Sequence, residues 1–197
     1  MDALIANSLL KAQTYAQYRE TVTALLAEGQ ATGNVQSDAL VHYTQLNETR
    51  MNRLQKTVQL EETVATKLQH LTRSYTWLVL SEGWCGDAAQ LLPVMHKMAL
   101  ASDKIELKIV YRDQHPELMD AYLTNGTRSI PKLLVLDNET ATVVATWGPR
   151  PEPAAQLVRD YKAQHGVFDE TGKTALQLWY LHDKGKSTQE EIVALLR

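Results

Sequence analysis

Apolar residues recur at helical spacing through Leu4, Leu9, Leu10, Tyr15, Tyr18, Val22, Leu25 and Leu26. The spacing predicts an amphipathic helical run that Gly29 and Gly33 break. A second stretch places Leu40, Val41, Leu46, Met51 and Leu54 on one face, and a third, from Glu61 to Leu71, uses Val64, Leu68 and Leu71. Residues 1–72 therefore read as helical. They are polar apart from these stripes, so they are expected to pack on a core rather than stand alone.

The period changes at residue 75. Tyr75–Ser81 reads as a buried strand, followed by a helix through Met98 and a second strand over Lys104–Tyr111. A short helix over Pro116–Tyr122 ends at the Thr124-Asn125-Gly126 turn. Lys132–Asp137 and Ala141–Trp147 read as a hairpin around Asp137-Asn138-Glu139, and a helix from Pro153 to Gln164 stops at His165-Gly166. This order predicts an α/β fold: a mixed sheet flanked by helices, with a parallel β-α-β start and an antiparallel last pair. The core spans 73–167, between the helical extension 1–72 and a C-terminal helical extension, 168–197. In that tail, Ser187-Thr188-Gln189-Glu190 has the spacing of a capping box.

The chain has 197 residues, 44% hydrophobic, with a net charge of -3. A core of useful size is available, and there is no basic stripe of the kind nucleic-acid binders carry. No apolar run reaches membrane-spanning length, and Asp2 stands where a secretory leader would be basic. These features predict a cytoplasmic protein with neither nucleic acid nor membrane as partner. A single cysteine excludes an internal disulfide framework and a multi-thiolate zinc site, and the histidines lack ligand spacing, so no metal is expected.

That cysteine lies in Trp84-Cys85-Gly86-Asp87-Ala88, between a predicted strand and a predicted helix. A thiol at a helix start meets unpaired N–H groups and the positive end of the helix dipole, both of which favour thiolate. On this reading Cys85 is partly exposed and reactive, and Gly86 keeps its approach open. The other reading is a small buried apolar residue. Asp87 either satisfies first-turn N–H groups or acts on substrate protons, and its charge opposes thiolate formation.

Trp84-Cys85-Gly86-Asp87-Ala88 resembles the Trp-Cys-Gly-Pro-Cys motif of the thioredoxin superfamily. Pro93, Asp113-Gln114-His115-Pro116, Arg128-Ser129-Ile130-Pro131 with the strand after it, and Gly148 are similar to further family markers, in the same order. The resemblance covers residues 75–165 and looks like a single-cysteine Trp-Cys-Gly-Asp bacterial branch with a helical N-terminal extension. It implies a thioredoxin-like fold, a cis Ile130-Pro131 bond facing Cys85, and backbone groups at Ile130 that pair with an extended partner. Trp84, Gly86, Ile130, Pro131, Gly148 and Arg150 would then line the substrate site. Arg150 reads either as a fork for a partner carboxylate or as a solvated arginine, and Arg128 has a weaker claim of the same kind.

The departures from the pattern bear on function. Ala88 replaces the resolving cysteine, and Val79 and Ile109 replace the family's buried aspartate and its lysine. Dithiol reductase activity is not expected. Two readings remain. One is monothiol exchange, with Cys85 and Asp87 as catalytic residues and a protein or low-molecular-weight thiol as partner; no cofactor is implied beyond glutathione or another small thiol as co-substrate. The other is a non-catalytic binding module. A glutathione-bridged or iron–sulfur dimer is a third, less favoured because Asp87 stands beside the thiolate. Oligomeric state is not written in the sequence.

Overall fold

Every residue of β1 (Tyr75–Ser81) is buried. A strand buried along its whole length, without alternation, has both faces covered and belongs in the middle of a sheet. The computed structural model, which describes residues 2–197, places it there, in a four-stranded sheet of order β2-β1-β3-β4. β2 (Ile105–Tyr111) runs parallel to β1, and β3 (Lys132–Asp137) and β4 (Thr142–Trp147) complete the sheet in antiparallel pairing. β4 alternates exposed and half-buried positions, as an edge strand with one wet face should. α5 (Gly86–Ala99) makes the crossover from β1 to β2, and α6 (Pro116–Ala121) precedes β3. α7 (Glu152–His165) follows β4 and ends at Gly166, whose φ of 77° suits the residue after a helix. The expected mixed α/β fold with helical extensions is the fold observed.

The first helical run is not continuous. It divides into α1 (Ala3–Leu9) and α2 (Tyr15–Ala27). Thr14 stops it by forming a capping box with Gln17, and Gln13 is extended. Gln13 exchanges both backbone hydrogen bonds with Ile109, each 2.8 Å long. This bridge covers part of the open edge of β2, which would otherwise be a template for another chain. Ile5, Tyr15, Tyr18 and Val22 are buried in the same hydrophobic cluster as the sheet.

α3 (Asp38–Thr57) differs from its predicted stripe. Its buried residues are Thr44, Asn47 and Met51, whereas Tyr43 and Leu46 are 39% and 40% exposed. The reason is what α3 covers. It packs on α5 and the loop before it, where Asn47 Nδ2 donates to the Gly83 carbonyl at 2.9 Å. A buried carbonyl needs a donor more than it needs a leucine. α4 (Glu62–Gln69) buries Val64 and Leu68 as expected.

The tail forms α8 (Glu170–Asp183) and α9 (Lys186–Ala194). The capping box expected at Ser187 is absent. α9 begins two residues earlier, with Gly185 as its N-cap, and the Ser187 hydroxyl and N–H both turn to Asp183 instead.

Each large side chain that the N-terminal helices bury is worth roughly 1.5–3 kcal/mol. A 73–197 fragment would also expose the sheet surfaces beneath them and the Gln13-paired edge. We expect that fragment to lack a cooperative thermal transition and to aggregate; circular dichroism and light scattering would check this.

Candidate functional site

β1 ends in Ser81, and the chain turns through Glu82-Gly83-Trp84 into α5. Cys85 is the N-cap of α5, and its sulfur accepts the Ala88 N–H at 3.5 Å. To this extent the helix start treats the sulfur as predicted. The expectation of a partly exposed, thiolate-favouring Cys85 fails, however. Cys85 is only 8% exposed, and its Sγ–H donates to the Ile130 carbonyl at 3.4 Å. Burial first, and the Asp87 charge second, push the thiol up to about 12. The Ala88 and Asp87 N–H groups and Arg150 pull the other way without prevailing. Charge-burial costs outweigh a helix-terminus contribution of about 1 kcal/mol.

Asp87 does not cap α5. Its carboxylate is buried between Tyr180, whose hydroxyl donates to Oδ1 at 2.8 Å, and Arg150, whose Nη2 lies 2.5 Å from Oδ2. Burial raises the Asp87 carboxyl despite both partners, while the same contact holds Arg150 more firmly charged. The Arg150 fork is thus directed inward to Asp87, not free for a partner's carboxylate, though its buried Nε has no partner among the described residues. Arg128, outside the site, pairs with Asp120 at 2.5 Å.

The second wall of the site is the Ile130-Pro131 loop. Its peptide bond is cis, as is that of Gly148-Pro149. Both Ile130 and Pro131 are buried, and among the described residues the Ile130 N–H makes no hydrogen bond. Gly148 closes on this loop. It has φ of 112°, and a Cβ there would lie 2.2 Å from the Pro131 carbonyl oxygen. Gly148 therefore fixes the approach of the Trp147–Arg150 segment to the proline loop.

Residues beyond those expected complete the surroundings. The Thr32 hydroxyl accepts the Gly83 N–H at 2.8 Å, and Trp84 Nε1 donates to the Thr32 carbonyl at 3.2 Å. Arg112 stacks over the Trp84 ring, 4.9 Å from its centroid. From α3, Arg50 donates to Asn47 at 2.8 Å and lies 3.7 Å from where a Gly86 Cβ would be. Glu82, fully buried, accepts the Asp113 N–H, and burial raises its carboxyl. Apart from the Arg50–Asn47 pair on one face of α3, these contacts join residues 28 to 52 positions apart, so no local pattern marks them. Val79 and Ile109 sit side by side in the β1–β2 register, both buried. No carboxylate or ammonium occupies those positions behind the thiol.

The structure thus gathers Trp84, Cys85, Gly86, Asp87, Ile130, Pro131, Gly148 and Arg150 around the start of α5. Among the described residues no helix is long and apolar enough to cross a membrane. A search of curated proteins finds no match. Two solved structures share the fold: a protein of unknown function from Pseudomonas aeruginosa and an HIV epitope-scaffold. The first is 20% identical, covers 93% of this chain and 96% of its own, and superposes with a TM-score of 0.59. The second is 20% identical, covers 93% and 97%, and gives 0.58. The family model described as thioredoxin matches residues 33–162, which takes in α3, the Cys85 loop, the proline loop and most of α7. With that match over more than half its length, the chain belongs to the thioredoxin family.

Proposed function

We propose that this protein is a single-cysteine, Trp-Cys-Gly-Asp thioredoxin-fold module of the cytoplasm, binding an extended segment of a partner protein along the Ile130-Pro131 loop. The observation that carries the reading is the state of the thiol. Sγ is buried and spends its proton on the Ile130 carbonyl. Burial, and the Asp87 charge after it, push the thiol up to about 12, so the protonated form dominates at neutral pH. Ala88 cannot resolve a mixed disulfide, and Val79 and Ile109 cannot take a proton from it. The free Ile130 N–H offers a donor for strand addition, and Trp84 and Pro131 supply apolar walls.

One observation favours a second reading, monothiol exchange with glutathione or a protein thiol. The sulfur keeps the N-cap position, where the Ala88 N–H and Arg150 would support a thiolate once a partner displaced the Ile130 contact. Asp87 would then receive or return the proton.

Incubation of the native protein with glutathione disulfide at neutral pH separates the two. The module reading predicts no adduct by intact mass over hours. Stoichiometric glutathionylation of Cys85 within minutes would overturn it in favour of exchange.

A further inference from the structure

We propose that the cleft between the C-terminal ends of α3 and α8 is a binding site for a small organic anion with an apolar body. The cleft encloses about 570 Å³, within the range of sites that hold small molecules. Its floor is apolar, made by Leu54, Val58 and the Tyr180 ring, and Leu181 stands at its mouth with 49% of its surface exposed.

The charges around it are unequal. Arg53, Lys184 and Lys186 line it against Glu61. Glu61 is already taken by Lys186, at 3.0 Å. Among the described residues, Arg53 and Lys184 have no ion-pair partner. Both side chains are exposed and line the same cleft, so an anion entering it would meet two cations not already committed to a carboxylate.

Lys184 ends α8 in the left-handed region, with φ of 56°, and from there its exposed side chain lines the cleft. The anionic group meets Arg53 and Lys184, and the apolar body lies on Leu54, Val58 and Tyr180. This site is separate from the Cys85 surface, although Tyr180 belongs to both, since its hydroxyl is bonded to Asp87.

The test is a fluorescence titration of the full chain with anilinonaphthalene sulfonate, competed by decanoate or by inorganic phosphate. The site predicts saturable binding of one dye per chain, displaced by decanoate and not by phosphate at equal concentration. Arg53→Gln with Lys184→Gln should weaken the dye about tenfold, and Lys173→Gln, at the other end of α8, should leave it unchanged. Leu181→Asp, at an exposed position, should also weaken it and serves if the double variant does not fold. Four results would each overturn the proposal: no saturable binding, undiminished binding in the double variant and in Leu181→Asp, equal loss in Lys173→Gln, or displacement by phosphate alone.

Discussion

Gly148→Ala is expected to destabilise the protein by about 3 kcal/mol or more, the largest effect of a methyl added at any of its glycines. Two costs act together. The φ of 112° is a conformation that side-chain-bearing residues rarely adopt, and the new Cβ would stand 2.2 Å from the Pro131 carbonyl oxygen. That oxygen belongs to backbone immediately before β3 and cannot swing aside like a side-chain end. Relief requires the Trp147–Arg150 segment to lift off the proline loop, which would also draw Arg150 away from Asp87. Chemical denaturation should show a lower midpoint with little change in slope. A control, Gly126→Ala, has φ of 75° but nothing within 4 Å of its Cβ, so it should cost clearly less. Equal losses in the two variants would mean that the contact with Pro131 contributes nothing.

Asp87→Asn is expected to speed alkylation of Cys85 at neutral pH by at least about tenfold while lowering stability. The Asp87 charge is the second-largest cause holding the thiol protonated, and Arg150 acts in the opposite sense. Removing the first and freeing the second both favour thiolate. The same change leaves Arg150 facing a neutral amide, and breaking such a pair is costly, by roughly 1–3 kcal/mol at a partly exposed arginine. Reactivity and stability therefore move in opposite directions. The alkylation must be measured far below the unfolding transition, so that the gain reports on the native thiol. A variant with unchanged reactivity would show that burial alone sets the state of Cys85.

Much of the fold was legible because its signals are local. β1 and β3 carry the apolar runs Trp77–Leu80 and Leu133–Leu136, the turn after Asp137 joins β3 to β4, and Gly166 follows α7. The order of Cys85, Pro131 and Gly148 along the chain likewise pointed to one cleft. What escaped the sequence was decided between distant residues. Gln13 breaks a helical run because Ile109 offers an open strand edge. Asn47 replaces an expected leucine face because Gly83 needs a donor. Asp87, read as a helix-start carboxylate, is claimed by Tyr180 from the C-terminal extension and by Arg150 from the loop after β4. The reactive reading of Cys85 weighed the helix dipole, which the sequence reveals, without the burial that Ile130 and its neighbours impose.

In the proposed binding module Cys85 is a buried, protonated thiol. The rate of Cys85 alkylation by a small reagent, followed from pH 6 to 11 in the native protein and in denaturant, tests it most directly. A thiol at about 12 predicts a native rate roughly three orders of magnitude below the unfolded one at neutral pH, since a free cysteine titrates near 8.5. It also predicts that the native rate keeps climbing with pH, with no plateau in this range. A native rate that levels off by about pH 8 at a value close to that of the unfolded chain would contradict the account and make Cys85 a working nucleophile.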